Sequence, residues 1–122
     1  MSLKKAEECL NVAQRCLQEG WYDSAVNRSY YAMFQAARAA LAAAGFRRPW
    51  WRHGSLQAAF STELVRRRKL YPAHFVQYLA DAMALRHMAD YSDSQAPRRE
   101  ATRMVRYATE FLSHVKEMAG NA

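Results

Sequence analysis

The chain has 122 residues, 51% of them apolar and 24% charged, with eighteen Lys and Arg against eleven Asp and Glu for a net charge of +7. That composition excludes a disordered polyelectrolyte, and no apolar run approaches the ~18–20 residues that cross a bilayer. Four glycines and three prolines are too few for the turns of a β-sandwich or barrel, and neither a Gly-rich phosphate loop nor a nucleophile elbow is present. The acids Glu7 and Glu8 sit where a signal peptide needs its apolar stretch. The expectation is a single all-α domain over residues 1–122, cytoplasmic and without a membrane anchor.

Periodicity and punctuation predict five helices. Residues 3–18 carry Leu3, Ala6, Leu10, Ala13 and Leu17 at alternating steps of three and four, one bundle-facing stripe. Cys9 and Cys16 share a face about 10 Å apart along the axis, too far for a disulfide, and read as small apolar residues rather than metal ligands. Gly20 ends this segment and Asp23 offers an N-cap to a second helix, 24–44, with Val26, Tyr30, Met33, Ala37 and Leu41 inward. Gly45 closes it as a C′ glycine. A third helix is predicted from Gly54-Ser55 to about Val65, with Leu56, Ala59, Phe60 and Leu64 inward. After the basic run Arg66-Arg67-Arg68-Lys69, Pro72 fits the first turn of a fourth helix with Phe75, Leu79, Ala82 and Met83 inward. A polar connection, 90–97, leads to a fifth helix from about Arg98 to Met118 on the stripe Ala101, Met104, Ala108, Phe111, Val115, Met118. Short connections favour antiparallel neighbours, so the predicted architecture is an up-and-down bundle of four to five helices.

Fourteen of the eighteen basic residues are Arg, clustered at 47–52, 66–68 and 98–106. Guanidinium forks match phosphate and carboxylate geometry, so the charge points to a polyanion or an acidic protein, with a merely solvated surface as the plain alternative. Two polar intrusions are informative. On the fourth helix the apolar stripe continues to Arg86, where an unpaired buried charge would cost several kcal/mol. Asp90, at i+4, is its structural partner, and a ligand phosphate is the functional one. On the second helix Ser24, Asn27, Arg28, Tyr31, Gln35 and Arg38 form a stripe opposite the apolar one. Tyr30 and Tyr31 diverge by about 100°, so that one packs inward while the other lines that stripe. Seven alanines within residues 36–44 allow another helix to approach closely, either inside the chain or across a dimer seam.

Residues 22–45, with Arg28-Ser29-Tyr30-Tyr31-Ala32, together with His53-Gly54-Ser55-Leu56 and Leu85-Arg86-His87-Met88-Ala89-Asp90-Tyr91-Ser92-Asp93, resemble the corresponding segments of bacterial and archaeal HEPN domain proteins. The resemblance covers nearly the whole chain. It implies an α-helical bundle that forms a homodimer and is encoded beside a minimal nucleotidyltransferase, its antitoxin-like partner in a toxin–antitoxin pair. Active members are metal-independent ribonucleases with an Arg-x4–6-His motif at the dimer cleft, while others bind nucleotides, RNA or protein. Carried onto this chain, the catalytic candidates are Arg86, His87, Asp90 and Tyr91. The nucleotide- or RNA-binding candidates are Asn27, Arg28, Tyr31, Gln35, His53 and Arg86. No metal and no cofactor is implied.

The chain departs from the catalytic pattern. The positions that should hold the histidine after Arg86 are Tyr91, Ser92 and Asp93. Arg48 to His53 and Arg68 to His74 satisfy the spacing, but in connections between helices. His87 follows Arg86 directly and so projects about 100° away from it. The expected function is RNA or nucleotide binding at a dimer cleft, with ribonuclease activity left open by the degenerate motif. The alternatives are a noncatalytic module that binds a nucleotidyltransferase partner and, more distantly, a small-ligand bundle.

Overall fold

Two glycines set the helix lengths. Gly20 and Gly45 have φ of +79° and +98°, left-handed conformations that glycine adopts without Cβ strain. After the second helix, Phe46 N–H bonds the Leu41 carbonyl at 2.8 Å and Gly45 N–H that of Ala42 at 3.0 Å, the paired closure of a glycine C-cap. In a computed structural model that describes residues 3–120, the helices are α1 (Lys4–Gln18), α2 (Tyr22–Ala43), α3 (His53–Ala59), α4 (His74–Tyr91) and α5 (Arg98–Val115). Residues 1, 2, 121 and 122 of the predicted domain lie outside the described residues.

Three details differ from expectation. Asp23 does not cap α2, which begins a residue earlier at Tyr22. Its carboxylate instead accepts the Ala96 N–H at 2.7 Å, tying the α4–α5 connection to the start of α2. Second, α3 does not stop near Val65. It runs on into a π-helical segment, Phe60–Arg67, so two of the arginines expected in a loop are helical. Arg68 then bonds the Ala44 carbonyl at 3.0 Å through its side chain. Third, Leu17 and Met83 are only half-buried, and Met118, in a π-helical turn (Lys116–Gly120), is exposed.

Cross-bundle contacts establish the alternating directions. Lys116 beyond α5 pairs with Glu7 in α1 at 3.0 Å, while Gln95 before α5 bonds the Gly20 carbonyl after α1 at 3.2 Å, so α1 and α5 run antiparallel. Near the start of α4, Phe75 stacks on Phe111 of α5 with centroids 4.7 Å apart, and Tyr78 donates to Glu110 at 2.8 Å. At its other end α4 meets the start of α2, where Asn27 faces Asp90. The result is the predicted up-and-down bundle, with α2 touching every other α-helix.

The alanines of α2 serve the chain's own core. Ala36, Ala37, Ala39 and Ala40 are at most 5% exposed, and α1 and α5 pack directly against α2. The chain's own helices thus fill the stretch as far as Ala40, while Ala42 and Ala44 are half-buried and Ala43 is exposed. Widening it should therefore act on stability. Ala37→Leu is expected to destabilise the monomer fold by about 1–3 kcal/mol, as overpacking of a filled core does. Urea unfolding would measure it, and an unchanged midpoint would show the stretch to be slack.

Candidate functional site

The polar stripe of α2 becomes the wall of a groove. Three adjoining depressions of about 470, 250 and 320 Å³ run between α1 and α2 and end at Asp90. Gln35 and Arg38 line the first, Gln35 and Arg28 the second, and Ser24, Asn27 and Arg28 the third. Helical spacing of three and four produces this alignment, since such residues share one face. Arg28 is held upright by two bonds to the Asn27 side-chain oxygen, at 2.9 and 2.7 Å. Its guanidinium also lies 5.1 Å from the Tyr31 ring centroid.

Beside the groove, α2, α3 and α4 meet in a denser cluster. Tyr30 is fully buried and Tyr31 half-buried, the division that their angular offset predicts. The Tyr30 hydroxyl is hydrogen-bonded to His53 Nδ1. This bond is satisfied in both tautomers: Tyr30 donates to a bare Nδ1, or a protonated Nδ1 donates to the phenol oxygen. In the second tautomer His53 Nε2 keeps its lone pair. Phe34 packs 5.1 Å from the His53 ring. Arg86 covers the cluster from α4, with its guanidinium 5.5 Å from the Tyr30 centroid and 5.7 Å from that of Tyr31. Such cation–π contacts contribute about 0.5–2 kcal/mol each, more as water is excluded.

Arg86 donates to Asp90 at 3.0 Å, and its side chain is only 15% exposed. The i+4 ion pair expected from the sequence is therefore formed. It leaves the guanidinium incompletely satisfied, because Arg86 Nε is buried and makes no hydrogen bond among the described residues. Burial first, and the Arg86 charge second, hold the His53 pKa below the usual histidine value. Burial raises the Tyr30 pKa, with Arg86 opposing it. The cluster thus joins a positive charge, a neutral imidazole and a protonated phenol.

The candidate residues divide in space. Asn27, Arg28, Tyr31, His53, Arg86 and Asp90 adjoin one another at or beside the groove's end, and Gln35 lies farther along it. His87 and Tyr91 face solvent and contact each other, with ring centroids 4.7 Å apart. They are neighbours of Arg86 in sequence and not part of its cluster. The helical stripe marks Tyr30 only as core and Phe34 falls on neither stripe of α2, so the sequence signals neither as a site residue.

An all-α bundle with arginines along its groove, beside a cluster of Arg86, Tyr30, Tyr31 and His53, defines a class of small helical domains. The HEPN domain model matches residues 1–118, and the chain belongs to the HEPN domain family. It is similar to a UPF0332 protein of Gloeobacter violaceus, 32% identical over 120 residues that cover 91% of this chain and 93% of that one. A protein of Methanocaldococcus jannaschii, named as a candidate toxin, is 26% identical over 116 residues, 94% of this chain and 77% of its own length. A UPF0332 protein of Thermotoga maritima is 39% identical over 67 residues, 55% of this chain and 49% of its own.

The lowered His53 pKa fixes the sign of a pH effect. Between the folded and the ordinary value the unfolded chain binds the extra proton, so stability is full above about pH 6.5 and declines as pH falls through the folded pKa. The urea midpoint is expected to drop between about pH 7.5 and about pH 5, and to drop less in His53→Gln. Parallel profiles for the two proteins would place the titration elsewhere.

Proposed function

We propose that the α1–α2 groove and the Arg86 cluster bind RNA or a nucleotide, in a protein of the toxin–antitoxin type. The observation that carries this reading is Arg86: a guanidinium mostly withdrawn from water, paired on one side with Asp90 and unbonded at Nε. Beyond the Nη1–Asp90 bond, Nη2 is not sealed off and makes no hydrogen bond among the described residues, and a charge-assisted bond there is what an incoming phosphate oxygen would complete. Arg28 offers a second fork about one helical turn from the aromatic cluster, and the half-exposed Tyr31 ring gives a base a surface to stack on. The similarity to a candidate toxin supports the same direction.

Cleavage without a metal needs a group that takes the ribose 2′-OH proton as the 2′-oxygen attacks phosphorus and the 5′-oxygen leaves, protonated by water. No histidine follows Arg86 at the motif spacing. His53, brought to the Arg86 cluster by α3, supplies an imidazole instead, and Tyr30 holds its Nδ1 side. His87 points away from this arrangement.

The cleft is proposed to be shared by two copies of the chain. Met88 and Tyr91 are 62% and 75% exposed beside Asp90, and Val12 and Trp21 are also exposed at this end of the bundle. An uncovered apolar set next to a functional groove fits a self-association surface. A second reading, docking of a nucleotidyltransferase partner, draws on the loop where Trp50 is 65% exposed between Arg48 and Arg52. Aromatic and arginine side chains of that kind anchor protein interfaces.

Three measurements test the proposal. The double variant Arg86→Met/Asp90→Asn keeps bulk over the tyrosine rings and leaves no unpaired charge. Its affinity for labelled single-stranded RNA should fall about tenfold or more, the scale of one charge-assisted contact, with little change in melting temperature. Wild-type protein that binds neither RNA nor nucleotide at low salt would overturn the reading, and incubation with RNA in EDTA would show whether binding leads to cleavage. Light scattering at micromolar concentration should report twice the 14.1 kDa chain mass. A monomer would remove the shared cleft and leave the groove as a one-chain site.

A further inference from the structure

Helix α5 carries a second basic surface that the groove does not include. Arg98, Arg99, Arg103 and Arg106 line an open concavity of about 890 Å³ with Glu100 and Thr102. Glu100 is committed to Arg103, with N···O of 2.5 Å. Arg98, Arg99 and Arg106 are exposed and form no ion pair among the described residues. Arg99, Arg103 and Arg106 follow the four-and-three spacing of one helix face, so the row spans about 10 Å along the axis.

This surface adjoins the groove. The α4–α5 connection is clamped to the start of α2 by the Asp23–Ala96 bond at 2.7 Å and the Gln95–Gly20 bond at 3.2 Å. Asp23 lines the last depression of the groove, and the Arg98 backbone follows Ala96 by two residues, within about 7 Å. The groove therefore ends where the arginine row begins.

The chemistry of the face selects its ligand. None of the exposed large apolar side chains lies within α5, whereas protein interfaces rely on buried apolar and aromatic anchors. Tyr107 is already stacked on Tyr78, with centroids 3.8 Å apart, and offers no free ring for a base. The Thr102 hydroxyl donates to the Arg98 carbonyl at 2.8 Å, so the uncommitted groups are guanidinium, which matches a phosphodiester backbone irrespective of sequence.

We infer that α5 binds the phosphate backbone of the same RNA strand that enters the α1–α2 groove, extending the site around the α4–α5 connection. This rests on the RNA reading of the groove. The proposal makes binding depend on strand length in a way that reports on α5. Fluorescein-labelled single-stranded RNAs of about 6 and about 20 nucleotides are titrated against wild type and against Arg98→Gln/Arg99→Gln/Arg106→Gln. These side chains are exposed and outside the ion pairs, and a thermal melt confirms the fold of the variant. The triple variant should lose about tenfold or more in affinity for the long RNA and less than about twofold for the short one. Its log–log salt slope on the long RNA should be shallower by about two, as three lost phosphate contacts require. Equal losses at both lengths would mean a diffuse charge field, and no loss at either would mean an idle surface; both overturn the inference while leaving the groove intact. Failure of wild type to bind either RNA would instead bring down the groove reading, and this inference with it.

Discussion

A phenol hydroxyl buried in a helical core must find a partner, because leaving it unbonded costs roughly 1–3 kcal/mol. Tyr30 is that residue, and His53 meets its need. The requirement positions the start of α3 against α2, and the chain between Gly45 and His53 must span the gap. It also places an imidazole on the face that Arg86 covers. The polar site and the core are thus one structure: the ring of Tyr30 fills the bundle and its oxygen builds the site.

Helix α2 supports this arrangement by being different on its two sides. Alanines let α1 and α5 close on it, and the polar stripe beyond them is left to line the groove. Aromatic stacking at the other end of the bundle, Phe75 on Phe111 and Tyr78 on Tyr107, locks α4 to α5. Pairs of this kind add about 0.5–1.5 kcal/mol beyond their burial. With α4 so held, Arg86 and Asp90 are presented to α2 from a rigid helix rather than from a loop.

Most of this fold is legible in the sequence because glycine and the three-and-four spacing act locally. The ends at Gly20 and Gly45, the inward stripes and the Arg86–Asp90 pair all follow from residues within a turn or two of one another. The π-helical continuation of α3 was not legible, since Leu56, Phe60 and Leu64 keep the same spacing in either kind of helix. Asp23 reads as a cap because a carboxylate near a helix start has a local use, and its distant use for Ala96 leaves no pattern. In the site, adjacency misleads: His87 and Tyr91 neighbour Arg86 in the chain but point elsewhere on the helix. The His53–Tyr30 contact spans 23 positions and arises from packing, so composition and periodicity alone could not have supplied it.

The position of Trp51 has an optical consequence. Its indole is buried under Arg48, whose guanidinium lies 4.2 Å from the ring, two residues before His53, while Trp21 and Trp50 are exposed. The molecule therefore carries one shielded and two solvated chromophores, whose emission differs in colour and in access to a soluble quencher. Movement at the start of α3 would change the shielded component first, so an unlabelled protein can report the state of its own site.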